Sequence, residues 1–359
     1  MKNETKIPEG YIVDENMIAK TAIEKDGFHF YDIDDEPFRI YGVYRDGEQY
    51  RRIPQSLAES LNPGIVILST NTAGGRVRFV TDSPRIAVIA TRNAEPLSDN
   101  CCFLNVAAFD MYADGEYAHI FRPGGDFDIR TFEGISRPFD GARRDRTITV
   151  NLPNYGNVER LLIGIEDGSS LKRAPDYVYE RPVVFYGSSI TQGGCASRPG
   201  LSYQGMLSRA LDMNYVNLGF SGRGKAEPEM VEYVSGLDMS AFVLDYDHNA
   251  PTPEYLLATH EPFYKAVRER HPDIPIIMMT RPSCFDDCEV KQRREVIYGT
   301  YERARAAGDN NVYFLDGAEL VSAVGGDGFA DGCHPNDLGF YHMAKGLLPV
   351  LREALGGER

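Results

Sequence analysis

The sequence predicts an α/β protein in two parts, an all-β sandwich followed by a parallel sheet with helices on both faces. Up to about residue 170, short alternating runs are separated by Gly, Asp, Asn and Pro, the pattern of a sandwich. From about residue 180, strand-like and helix-like segments alternate, which calls for a parallel sheet buried on both sides. Between these parts Lys172, Arg173 and Pro175 lead into the polar stretch Asp176 to Arg181. The expected domains are therefore 1–172 and 181–359.

In the first part the candidate strands are Phe28–Tyr31, Ile40–Tyr44 before Asp46-Gly47, Ile65–Leu68, Val77–Val80 and Ile86–Ala90. Ala107–Tyr112 before Asp114-Gly115, Tyr117–Phe121, Thr147–Leu152 and Leu161–Ile165 before Asp167-Gly168 continue the series. Only Ser56–Leu61 reads as a short helix. In the second part the strands are Val183–Tyr186, Tyr215–Leu218, Phe242–Leu244, Ile274–Met279 and Val312–Leu315. Helical patterns follow at Ser202–Leu211, Pro228–Val234, Tyr255–Arg270, Val290–Ala307 and Asp337–Leu355. Pro228 and Pro253 stand where a first helical turn accepts proline, and Gly308 stands just past a helix end.

Asp+Glu number 53 against 38 Lys+Arg, a net charge of -15. Nucleic acid and anionic membranes, which need a cationic surface, are therefore not expected as partners. No stretch approaches the ~20 apolar residues of a membrane helix. The polar N-terminus carries no signal-peptide pattern, so the six cysteines are expected as thiols in a cytoplasm. Cys284 and Cys288 lack a second pair at zinc-site spacing, and no metal or organic cofactor is expected.

Ligands of such a sheet bind beyond the carboxyl ends of its strands, so the residues following each strand form a rim. Ser189 follows the first strand, on the turn Gly187-Ser188-Ser189. The glycine-rich run Asn217 to Gly224 follows the second, and Asp245-Tyr246-Asp247-His248-Asn249 the third. Asp331-Gly332-Cys333-His334 comes after the fifth. Acyl transfer to a serine needs this set. The hydroxyl is a poor nucleophile until a base takes its proton. His334 is the candidate for that base. Asp331, three residues earlier, can fix the imidazole tautomer. The N–H groups of Ser189 and Gly222 and the Asn249 amide can meet the oxyanion.

Gly187-Ser188-Ser189-Ile190-Thr191, Asn217 to Gly222, Asn249 and Asp331-x-x-His334, in that order, resemble the four blocks of the SGNH (GDSL-type) hydrolases. The resemblance implies Ser189 as nucleophile, Gly222 and Asn249 in the oxyanion hole, and Asp331 and His334 completing the triad. It also implies a flavodoxin-like three-layer fold over about 181–359. Two positions depart from the pattern: Ser188 replaces the usual aspartate, and Asp247-His248-Asn249-Ala250 replaces Gly-x-Asn-Asp. The first part resembles the jelly-roll domain that precedes one subgroup, whose signature Gly-x-Asp-Leu-Tyr reads Ala108-Phe109-Asp110-Met111-Tyr112 here. Two-domain carbohydrate acetyl esterases share that layout.

The expected function is a serine esterase acting on short acyl esters, acetate above all, of a carbohydrate. The alternatives are a lysophospholipase or thioesterase, and an inactive carbohydrate-binding protein. His248, Arg223 and Tyr246 are candidates to touch substrate. His248 is the rival base and is expected to line the pocket, and Cys333 is not expected to act as a nucleophile. Whether the sandwich reaches the active site within one chain or across a homo-oligomer stays open at this level.

Overall fold

The computed structural model describes residues 22–92, 101–123, 130–285 and 287–356. The expectation for the N-terminal stretch lies outside them.

The sandwich strands are β1 (Phe28–Asp32), β2 (Arg39–Tyr41), β3 (Tyr44–Asp46), β4 (Gln49–Arg51), β5 (Arg76–Thr81) and β6 (Ile86–Thr91). They continue with β7 (Phe109–Ala113), β8 (Glu116–Phe121), β9 (Thr131–Ile135), β10 (Arg146–Asn151), β11 (Arg160–Glu166) and β12 (Leu171–Lys172). One antiparallel sheet runs β1-β11-β6-β9. The other runs β12-β5-β10-β7-β8, with β2 also paired to β5. Inward residues of both sheets, among them Phe79, Val88, Phe109, Met111, Ile148 and Ile163, are fully buried and close the space between them. Alternation along each strand produces this, because successive side chains point to opposite faces.

Three short helices interrupt these strands: α1 (Gln55–Leu61), α2 (Pro63–Leu68) and α3 (Phe103–Ala107). The run Ile65–Leu68, expected as a strand, is helical. Asn62 accepts the Ile65 N–H and Pro63 opens the first turn, so the local start signal wins over an apolar run too short to have a period. Only Ile65 of that run is fully buried, and Ile67 is exposed.

The second part holds β13 (Tyr179–Gly187), α4 (Ser189–Gln192), α5 (Tyr203–Leu211), β14 (Met213–Gly219), α6 (Pro228–Ser235) and β15 (Ala241–Asp245). It ends with α7 (Pro253–Arg270), β16 (Ile276–Met279), α8 (Cys288–Ala306), β17 (Val312–Leu315), α9 (Gly317–Val321) and α10 (Asp337–Ala354). All five strands are parallel in the order β14-β13-β15-β16-β17, the doubly wound flavodoxin-like arrangement. Val184, Tyr186, Phe242, Leu244, Ile276 and Met278 pack on one face with α6, α7 and α8. Val183, Phe185, Val243, Ile277 and Met279 pack on the other with α5 and α10. The near-continuous apolar strands follow from that double burial.

The two parts share surfaces. Ile53, Ala58 and Ile65 join the core of the first face, so α1 and α2 cover the parallel sheet rather than the sandwich. Of the expected bounds, residue 172 ends β12, whereas residue 181 lies inside β13. Among the described residues no helix is long and apolar enough to cross a membrane.

Candidate active site

β13 is central, and the strand order reverses beside it, so its carboxyl end is the switch point where open sheets bind ligands. The chain leaves the strand through Gly187. A Cβ there would lie 2.0 Å from Thr191 Oγ1 and 2.1 Å from the Asp245 carbonyl, so only glycine lets the turn close this tightly. Ser188 then caps α4: its hydroxyl accepts the Ile190 N–H at 3.1 Å, and its own N–H donates to Thr191 Oγ1 at 3.2 Å. Serine and aspartate are comparable caps, which is how the turn accommodates Ser188 where the family pattern has Asp. Ser189 is thereby the first residue of α4, 6% exposed.

Beneath this turn Asp245 is buried and accepts hydrogen bonds from Thr191 Oγ1 at 3.0 Å and Tyr203 OH at 2.9 Å. Burial first, and then neighbouring Asp247, push its carboxyl up to about 8.

The loop before α10 brings in His334. Its Nε2 stands 2.8 Å from Ser189 Oγ, and its Nδ1 2.8 Å from Asp331 Oδ2. The other Asp331 oxygen accepts the Cys333 N–H at 3.0 Å and the His334 N–H at 2.7 Å. A carboxylate only accepts, so the Nδ1 proton lies toward Asp331 and Nε2 is left to accept from the serine. Gly332, at φ +78°, makes the tight return possible.

Across from Ser189, the run after β14 folds back on Gly187. Phe220 N–H donates to the Gly187 carbonyl at 3.0 Å. The Phe220 carbonyl accepts from Arg223 N at 2.9 Å, Gly224 N at 3.1 Å and Asn249 Nδ2 at 2.8 Å. That leaves one Asn249 amide hydrogen. Gly222 adopts φ +66°, and among the described residues no acceptor is recorded for its N–H or for that of Ser189.

The further candidates fare differently. Tyr246, expected at the substrate, is instead 1% exposed in the core, its ring tilted against those of Tyr186 and Phe263 and its hydroxyl bonded to Thr259. The end of β15 turns it under the sheet. His248 has both ring nitrogens engaged: Arg281 Nη1 at 2.7 Å on Nδ1, and Cys333 Sγ at 3.0 Å on Nε2. Arginine only donates, so Nε2–H points at the sulfur and this imidazole does not accept the Cys333 proton. Burial, reinforced by the Arg281 charge, lowers His248 to about 4, and burial raises the Cys333 thiol. The pair therefore buttresses the 331–334 loop. Arg223 is exposed on the rim, its guanidinium beside Gly64 of α2.

The sandwich reaches this site within the same chain. Tyr155 OH donates to the Ser189 carbonyl at 3.1 Å. Asn105 Nδ2 donates to the Gly193 carbonyl at 2.9 Å, and Gln192 Nε2 to Asn71 Oδ1 at 3.0 Å. Arg52, 2% exposed, points Nη1 at the carbonyls of Asn217 and Gly219 and lies over the Phe220 ring. Asp110, fully buried, takes Arg198 Nη1, the Gly200 N–H and Asn151 Nδ2, while Tyr112 OH also receives Arg198. Sequence reasoning missed Arg52, Asn105 and Tyr155, which stand singly with no spacing signal. The Asp110 motif was visible as a signature, though not as a clamp on the second part.

One donor set could hold a metal: Cys195 Sγ, an Asp331 oxygen and a His334 ring nitrogen lie within 4.8 Å of one another.

Residues 180–352 match the GDSL-like lipase/acylhydrolase family, and residues 16–171 match the N-terminus of the SGNH hydrolase-type esterases. A candidate GDSL-like lipase from Bacteroides ovatus is 29% identical over 92% of this chain and 99% of its own, with TM-score 0.82. The salicylyl-acyltransferase SsfX3 of a tetracycline biosynthetic pathway is 22% identical over 92% and 97%, with TM-score 0.72. An acetyl xylan esterase, Est2A from Butyrivibrio proteoclasticus, is 16% identical over 92% and 99%, with TM-score 0.59. The last two show the shared fold. No curated protein matches the sequence.

Proposed function

From a chain that belongs to the GDSL-like lipase/acylhydrolase family, and is an esterase, we propose a serine enzyme that removes short acyl groups, acetate above all, from carbohydrate hydroxyls. The observation that carries the reading is the relay Ser189 Oγ to His334 Nε2 to Asp331, 2.8 Å at each step.

In this reading His334 takes the hydroxyl proton as Ser189 attacks the ester carbonyl. Asp331 holds the Nδ1 proton and stabilises the imidazolium. The oxyanion is met by the N–H groups of Ser189 and Gly222 and the remaining amide hydrogen of Asn249. His334 returns its proton to the departing alcohol, then activates water to release the acid. The low exposure of Ser189, closed in by Tyr155, favours a small acyl group. The carbohydrate preference rests on the two-domain layout shared with the acetyl xylan esterase.

The test is hydrolysis of p-nitrophenyl esters from acetate to octanoate by the protein and by Ser189→Ala and His334→Ala. Acetate-selective turnover, reduced at least about 10³-fold in both variants, is expected. Turnover rising with chain length would favour a lipid or thioester substrate. Full activity in Ser189→Ala would remove Ser189 as nucleophile.

A further inference from the structure

We propose that Cys195, Asp331 and His334 form an inhibitory site for a thiophilic divalent cation of the Zn²⁺ class, which switches the esterase off by occupying its base. The inference rests on the reading of His334 as that base.

The donors are a thiol, a carboxylate and an imidazole, the ligand types zinc takes, and each pair lies within 4.8 Å. In a tetrahedral site, ligand atoms stand roughly 3.4–3.7 Å apart, given metal–ligand bonds of about 2.0–2.3 Å. A contraction of about an ångström therefore completes three corners, leaving the fourth for water.

Two features place the sulfur there. Gly193, at φ +98°, ends α4, and the Gly194 N–H returns to the Ser189 carbonyl at 2.8 Å. This turn lies on the imidazole: a side chain begun at Gly194 would meet His334 Cδ2 at 3.3 Å. Cys195 then adopts φ +67°, a conformation that disfavours residues other than glycine, with 4% of its surface exposed. A held, left-handed non-glycine residue beside a candidate triad motivates a functional reading. The proposed triad does not use it.

Binding stops the esterase whichever imidazole nitrogen is taken. On Nδ1 the ion replaces the proton shared with Asp331, so the proton moves to Nε2 and Nε2 no longer accepts from Ser189. On Nε2 the ion takes the lone pair itself. The thiol proton leaves to solvent as the thiolate binds, so affinity rises with pH.

The experiment uses the full chain stripped with EDTA and titrated with ZnCl₂ in the p-nitrophenyl acetate assay, alongside Cys195→Ser, Cys195→Ala and Cys333→Ser. Co²⁺ absorption is read in parallel. Zn²⁺ is expected to inhibit the native protein reversibly, with EDTA restoring the rate. Either Cys195 substitution should leave the metal-free rate intact and raise the inhibiting concentration at least about tenfold, whereas Cys333→Ser should not. Co²⁺ should give a thiolate charge-transfer band that Cys195→Ser and His334→Ala both lose. Equal inhibition of the native and Cys195 proteins, or a Co²⁺ band surviving both substitutions, overturns the site. Thermal melting without metal verifies that the variants are folded. The Co²⁺ spectrum needs no turnover, so it decides the metal site even if the esterase reading fails.

Discussion

Asp331 binds three N–H groups of its own loop with two oxygens, so it sets both the loop and the imidazole tautomer. Asp331→Asn offers an amide where a pure acceptor is needed and favours the wrong tautomer. The expected result is a fall in kcat of about 10³–10⁴ with KM little changed, measured in the p-nitrophenyl acetate assay. Asp245 is a buried carboxyl beneath the same turn. Its folded pKa of about 8 lies above the usual carboxylate value, so the folded state holds the proton more tightly than the unfolded one. Its stability contribution is therefore full in acid, below about pH 4, and is lost as pH rises through 8. Asp245→Asn keeps an acceptor for Thr191 and Tyr203 without the ionisation. Its melting temperature should fall less between pH 5 and 9 than that of the native protein, and parallel curves would refute the assignment.

At the scale of elements, the short helix α4 depends on its flanks more than on itself. Four residues cannot sustain a helix by propensity. The Ser188 cap, the Gly187 close approach and the Tyr155 and Asn105 contacts hold it from both sides. β7 works similarly at a distance. Its Asp110 and Tyr112 point out of the sandwich to grip Arg198 and Gly200 before α5. Removing one partner of a buried ion pair costs about 3–5 kcal/mol. Asp110→Ala should lower stability by that order in urea unfolding, and should also reduce esterase turnover. Unchanged unfolding would mean that the clamp does not tie the parts together.

On the scale of the whole molecule, the two parts are not separable beads. α1 and α2 cover one face of the parallel sheet, and Arg52 supplies hydrogen bonds to carbonyls at the end of β14. Residues 173–359 alone would expose that apolar face and leave those carbonyls without their donor. The fragment is expected to be insoluble, or to lack a cooperative thermal transition. A soluble fragment with near-native turnover would show the sandwich to be dispensable.

The sequence by itself determined the layered architecture, all five parallel strands and the rim on which Ser189, Asn249, Asp331 and His334 stand. Alternation and apolar runs report burial directly, and loops at strand ends inherit a known side of the sheet. It did not determine the helical state of Ile65–Leu68, where four apolar residues fit either period. Nor did it reveal that Tyr246 turns inward while His248, two residues on, props the 331–334 loop, because residues leaving a strand diverge by backbone angles that no local pattern encodes. Arg52, Asn105, Tyr155 and Cys195 reach the site only through tertiary structure. Each is an isolated residue far from its partner in sequence, and folding alone sets that distance.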